Sequence, residues 1–184
     1  MKLAVIFPGI GYHADKPLLY YSKMLVKNLG YEIREVPYGD FPEGVKGSKE
    51  KMEKAFFSAV KQAEQILADV EFAKYEEILF ISKSVGTAVA SAFALKQGLK
   101  TRNIYYTPVE ASFQFMKQEG LVFHGTNDSW VETKIVEEGC RQAGFPLVTI
   151  PEADHSLETK EVGTDLENLK QIMKKTEEYI CRRN

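Results

Sequence analysis

Hydrophobic and polar positions change period several times along the chain, and each change marks an element. Leu3-Ala4-Val5-Ile6-Phe7 is apolar without interruption, which predicts a strand buried on both faces. Pro8-Gly9-Ile10-Gly11 breaks it. Leu18, Ser22, Leu25 and Leu29 then share one helical face, in a helix that starts at Pro17 and ends at Gly30. Tyr31 to Val36 reads as a second strand, and its charges at Glu32, Arg34 and Glu35 place it at a sheet edge. A Pro- and Gly-rich loop from Pro37 to Gly47 leads to a long helix opening near Ser48. Its apolar positions keep helical spacing from Met52 and Ala55 through Ile66 to Val70.

The centre of the pattern is Ile78-Leu79-Phe80-Ile81, an apolar run that ends abruptly in Ser82-Lys83-Ser84-Val85-Gly86. A helix of small residues follows to about Gln97, with Gly98 after it. This reads as strand, sharp turn and helix, with Ser84 at the apex and small residues two positions to either side. Such a turn lifts the apex side chain above the sheet. Asn103 to Tyr106 and Leu121 to Phe123 are further strands, the second leading into His124-Gly125-Thr126-Asn127-Asp128. A helix from about Val131 ends near Gly144, and Leu147 to Ile150 is a sixth strand before Pro151-Glu152-Ala153-Asp154-His155. Thr164 and Glu167 have capping-box spacing for the last helix, whose buried face is Leu166, Leu169, Met173 and Ile180. Basic Arg182 and Arg183 suit its end. Strands alternate with helices throughout, so the expected fold is α/β, a mostly parallel sheet with helices on both faces, in one domain spanning 1–184.

Composition narrows the class. The chain has 184 residues and a net charge of −2 with both signs interspersed, which gives no basic face for nucleic acid. Two cysteines, Cys140 and Cys181, fall in expected helices and make no disulfide framework. Pro8 cuts the N-terminal apolar run after about five residues, short of a signal-peptide core, and no small-residue cleavage site follows. No stretch approaches the roughly 20 apolar residues of a membrane helix. The expectation is a cytoplasmic protein without a membrane partner.

Three polar groups fall where strands end: Ser84 after the third, Asp128 after the fifth, His155 after the sixth. The carboxyl ends of parallel strands form one rim, so residues distant in sequence meet there. With Pro8-Gly9-Ile10-Gly11, Ser82-Lys83-Ser84-Val85-Gly86, His124 to Asp128 and Asp154-His155-Ser156 in this order, nearly the whole chain resembles a small, lidless α/β-hydrolase, of the kind related to dienelactone hydrolases and compact esterases. The resemblance implies a minimal six-stranded parallel sheet in order 2-1-3-4-5-6. It implies Ser84 as nucleophile, His155 as base and Asp128 as the group orienting the imidazole. The oxyanion would be met by the backbone amides of Val85 and of Ile10, in preference to Gly11. Gly11, Tyr12, His13 and Trp130 are candidates for substrate contact. The implied substrate is a small-molecule carboxylic ester or thioester, with no cofactor and no metal.

Two departures and two rivals complete the reading. Ser82 replaces the usual first glycine of the elbow, where a strained backbone would suit serine less. Lys83 beside the nucleophile is expected to point into solvent, the alternative being that it favours an anionic substrate. His124 is expected to be structural, satisfied by backbone. Taken singly, Ser84 reads as a helix N-cap and Asp128 as turn chemistry. A metal site from His13, His124 and His155 would need dispersed residues without zinc-like spacing. Gly9-Ile10-Gly11-Tyr12-His13-Ala14 with Glu35 also fits a dinucleotide-binding fingerprint, which would make the chain an NAD(P)-binding protein. That motif must open straight into a helix, and Pro17 places the helix start several residues too late. The other rival is a binding protein on a hydrolase fold without catalysis.

Overall fold

The computed structural model describes residues 1–41, 44, 45 and 48–182. Positions 42, 43, 46 and 47 of the Pro37–Gly47 loop, and Arg183, lie outside the described residues. Six strands form one sheet in the order β2-β1-β3-β4-β5-β6. They are β1 (Lys2–Phe7), β2 (Glu32–Glu35), β3 (Glu77–Lys83), β4 (Arg102–Tyr106), β5 (Gly120–Gly125) and β6 (Leu147–Ile150). Every pairing is parallel. The helices are α1 (Pro17–Asn28), α2 (Lys49–Ile66), α3 (Val85–Lys96), α4 (Thr133–Ala143) and α5 (Val162–Cys181).

The uninterrupted apolar runs have a simple cause: successive side chains point to opposite faces, and both faces are covered. Ala4, Ile6, Leu79, Ile81, Ile104 and Phe123 pack beneath α1 and α5. Leu3, Val5, Phe7 and Phe80 meet α2 and α3, while Tyr105 and Val122 meet Val136 and Cys140 of α4. Tyr106 is buried and brings a hydroxyl with it. That hydroxyl shares hydrogen bonds with Ser22 Oγ of α1 (3.0 Å) and Thr176 Oγ1 of α5 (2.9 Å), so the polar group is satisfied and ties both helices to β4.

The helix ends show where local chemistry prevails over pattern. Helix α1 starts at Pro17, and the chain leaves it through Gly30 at φ 80°. Ser48 caps α2, its hydroxyl accepting from the Lys51 amide at 3.3 Å. Helix α2 ends at Ile66, so Leu67 and Val70 continue the apolar face outside the helix. The last helix departs from the capping-box expectation. Its cap is Glu161, whose carboxylate accepts from the amides of Gly163 (3.1 Å) and Thr164 (2.6 Å), and Thr164 lies inside the first turn. Leu166 is 63% exposed and falls off the buried face, whereas Ile180 is buried and Leu169 and Met173 pack half-buried against the core as expected; Ile172, Thr176 and Tyr179 complete the face. The edge strands β2 and β6 have four residues each, and β2 carries Glu32, Arg34 and Glu35 as expected of an edge.

At the carboxyl rim, α3 lies hard against the end of β1. A Cβ on Gly86 would run into the carbonyl oxygens of Phe7 and Pro8 and come within 2.8 Å of the Tyr38 hydroxyl, which itself donates to the Pro8 carbonyl. Gly86→Ala is therefore expected to force backbone apart and destabilise the fold by about 1–3 kcal/mol. Urea denaturation measures it, and an unchanged midpoint would contradict the close approach described.

Candidate active site

The turn from β3 into α3 places Ser84 at φ 56°, ψ −127°, a backbone conformation costly for a residue with a side chain. The strain sits at Ser84 and not at Ser82. Ser82 is ordinary β3 backbone in register with Phe7, and its buried hydroxyl donates to the Ile104 carbonyl at 3.2 Å. Serine is thus accommodated at that position through a β4 carbonyl.

Two loops at the rim are clamped together to bring the other groups in. A Cβ on Gly125 would strike the carbonyls of Ala153 and Asp154. The Asn127 amide donates to Ala153 O (2.9 Å) and the Glu152 amide to Thr126 Oγ1 (2.8 Å). Asp154 organises the second loop through its carboxylate, which accepts from the amides of Ser156 (2.7 Å) and Glu158 (3.2 Å). The result is a line of hydrogen bonds. Ser84 Oγ and His155 Nε2 are 2.7 Å apart, and His155 Nδ1 and Asp128 Oδ2 are also 2.7 Å apart. Asp128 Oδ1 accepts from the Trp130 amide at 2.7 Å, which fixes the carboxylate plane. Trp130 also stacks on the imidazole, with ring centroids 5.1 Å apart and planes 19° from parallel.

Electrostatics follow from this packing. Burial holds the His155 imidazole below the usual 6.5; the Asp128 bond opposes that shift and the charge of Lys83 reinforces it. Burial would raise the Asp128 carboxyl, but the bond and charge of His155, the Trp130 amide and His124 outweigh it and hold it below 3.8. An ionised Asp128 accepts only, so His155 carries its proton on Nδ1 and presents Nε2 as acceptor to the serine hydroxyl.

The remaining expected residues are placed as follows. Gly9, Ile10, Gly11 and Tyr12 form a tight turn closed by Tyr12 N to Gly9 O (3.2 Å) and Gly9 N to Tyr12 O (3.1 Å), with Gly11 at φ 73°. Those two bonds do not use the amides of Ile10 and Gly11. The turn abuts the elbow: a Cβ on Gly9 would lie 3.1 Å from Ser84 Cβ. Tyr12 is buried, and its hydroxyl accepts from the Leu18 amide at 3.2 Å. His13 is exposed beside Asp15. Helix α1 begins only at Pro17, and Glu35 pairs with Lys23 at 2.8 Å. Among the described residues, no group of three or more His, Cys, Asp or Glu side chains is arranged to hold a metal, and no helix is long and apolar enough to cross a membrane.

Two expectations are corrected. Lys83 does not reach solvent; it is 1% exposed. Strand alternation explains why, since Lys83 shares its parity with Leu79 and Ile81 and so faces α1 and α5. His124 is buried but is bonded by a side chain, not by backbone: its Nε2 lies 3.1 Å from Thr133 Oγ1. Its Nδ1 has no hydrogen-bond partner among the described residues and sits 3.8 Å from Asp128 Oδ2. Thr107 was not singled out from sequence. It directly follows β4, at φ 43°, and its hydroxyl donates to the His155 carbonyl at 3.1 Å. The signal available was a β-branched residue before Pro108 on the same rim.

No family model and no curated protein sequence matches the chain. Its structure is similar to an α/β serine hydrolase homologue from Coxiella burnetii, at 16% identity and TM-score 0.68, over 95% of this chain and 84% of that one. It is similar to Est1E from Butyrivibrio proteoclasticus, solved with ferulic acid bound, at 13% identity and TM-score 0.67, over 99% and 90% of the two chains. It is also similar to XC6422 from Xanthomonas campestris, described as an α/β serine hydrolase without a lid, at 13% identity and TM-score 0.59, over 95% and 82%. These likenesses establish the fold: the chain is a small α/β-hydrolase-fold protein. Its β4-to-β5 connection holds only a short 3-10 helix, Glu110–Gln114.

Burial also lowers the His124 imidazole below 6.5. Between the folded values of His124 and His155 and about 6.5, the unfolded chain binds more protons than the folded one, so stability falls as pH drops through that window. The urea midpoint is expected to decline from about pH 6.5 to 5.5, and to decline less in His124→Asn. A midpoint flat across that range in the wild type would contradict neutral burial of the two rings.

Proposed function

We propose that the chain is a serine hydrolase acting on carboxylic esters or thioesters of small or accessible acyl groups, through an acyl-enzyme. The observation that carries this reading is the unbroken line Asp128–His155–Ser84, with both hydrogen bonds at 2.7 Å and the serine at a strained apex. Strain at a non-glycine residue persists only where its surroundings impose it, and here it aims a hydroxyl at a base.

In this mechanism Ser84 Oγ attacks the substrate carbonyl while its proton passes to His155 Nε2. Asp128 stabilises the imidazolium that results. The negative charge gathering on the carbonyl oxygen is met by the Val85 amide, at the N-terminus of α3, and by the Ile10 amide of the turn that abuts Ser84. Collapse breaks the bond to the leaving alcohol or thiol, which takes the proton from His155. Water then attacks the acyl-enzyme with His155 again as base, releasing the acid and restoring Ser84. Residues 1–184 act as one catalytic domain with a small-molecule substrate and neither nucleic acid nor membrane as partner, and two free cysteines suit a cytoplasmic setting. The position of Pro17 and the Lys23 pairing of Glu35 disfavour dinucleotide binding, because the glycine turn does not open into a helix.

A fluorophosphonate probe is expected to label the wild-type chain and not Ser84→Ala; labelling that persists in Ser84→Ala would overturn the nucleophile. His155→Ala should lower kcat on a short-chain ester by about 10⁴-fold or more. The acid limb of kcat/KM should have its midpoint below 6.5, since the neutral imidazole is the active form and burial lowers its pKa.

A further inference from the structure

Lys83 is the residue of the elbow for which that mechanism has no use, and its surroundings are unusual. An ammonium is among the costliest groups to bury, and one this deep persists where its surroundings hold it. Its Nζ donates to Thr107 Oγ1 at 2.6 Å and lies over the Tyr12 ring, 5.0 Å from the centroid. The charged and titratable groups facing it are Asp128 after β5, Asp154, His155 and Glu158 after β6, Lys16 before α1, and Tyr12 in the glycine turn. Thr107 passes the connection on, donating to the backbone carbonyl of His155 at 3.1 Å. A β-branched residue at φ 43° is a genuine outlier, and here the strained conformation aims the hydroxyl both ways.

We propose that Lys83 is a positioning residue for His155: through Thr107 it fixes the backbone that carries the imidazole, and its buried charge keeps that imidazole neutral and ready to accept a proton. The proposal rests on the hydrolase reading for its purpose, but its physics does not. Burial brings the Lys83 amine down to about 7; Asp128, Asp154 and Glu158 hold it up and Lys16 pushes it lower. Lys83 and His155 share one buried site, joined through the Thr107 hydroxyl, and two cations there disfavour each other. Asp128 alone would draw the proton onto His155. Lys83 opposes this, and the same repulsion makes the imidazolium a stronger acid towards the leaving group.

The chain has one tryptophan, Trp130, and it is stacked on the ring in question. A protonated imidazole quenches a stacked indole, so Trp130 fluorescence against pH reads His155 protonation without turnover. His155→Asn should abolish that transition and so identify it. In Lys83→Met the midpoint is expected to rise by about 0.5–1 unit, and the acid limb of ester hydrolysis by the same amount. Lys83→Gln, which keeps a donor for Thr107 without the charge, should give the same shift and stands in if the Met variant does not fold. Thr107→Val, which breaks both hydrogen bonds, should lower kcat by about 10-fold with KM little changed. Thr107→Ser should restore it. An unchanged or lowered fluorescence midpoint in the neutral variants overturns the role of the charge, and an unchanged kcat in Thr107→Val overturns the role of the connection. The fluorescence result stands even if no ester is hydrolysed, whereas probe labelling decides the hydrolase reading separately.

Discussion

Everything at the rim depends on backbone approaching backbone more closely than any side chain permits. At Gly86 the first turn of α3 touches the end of β1, and at Gly125 the exit of β5 touches the loop after β6. Gly9 makes a similar but less severe approach, resting on Ser84 and on the Lys83 carbonyl. A parallel sheet spaces its strand ends about 4.8 Å apart, so side chains from β3, β5 and β6 meet only if the loops between them are drawn inward. Glycine at these contacts is what draws them in, and the line of 2.7 Å hydrogen bonds is the outcome.

Strain is concentrated where the loops converge. Ser84 and Thr107 both hold positive φ, and both direct a hydroxyl to His155, one to its ring and one to its backbone. The imidazole is further held by Asp128 and by the face of Trp130. A residue whose ring is held on three sides and whose backbone is held on a fourth has little freedom to turn away, which is what proton transfer over a short distance requires.

Much of this is legible in the sequence. Uninterrupted apolar runs marked the central strands, because both sheet faces are covered, and the carboxyl-end rule then put Ser84, Asp128 and His155 on one rim. Residues placed by three-dimensional parity were harder to read. Lysine at the end of a strand suggests solvent, yet counting by twos from Leu79 and Ile81 puts Lys83 inside. Thr164 and Glu167 fit the capping-box spacing, yet Glu161 caps α5 because its carboxylate reaches the amides of Gly163 and Thr164. His124 looked like a backbone-satisfied histidine, but Thr133 folds back over it from α4, a contact no local pattern announces. Thr107 was illegible for a related reason: its importance lies in two partners 24 and 48 positions away.

The sheet also has unprotected sides to consider. Both outer strands, β2 and β6, offer only four residues of unpaired ladder, and in β2 three of the four carry charge. A stray extended segment would gain few hydrogen bonds there and would have to bury or face those charges. The protein thus keeps its long, greasy strands in the middle and turns short or salted borders to the outside. Edge-to-edge pairing of one copy with another is thereby left little ladder to build on.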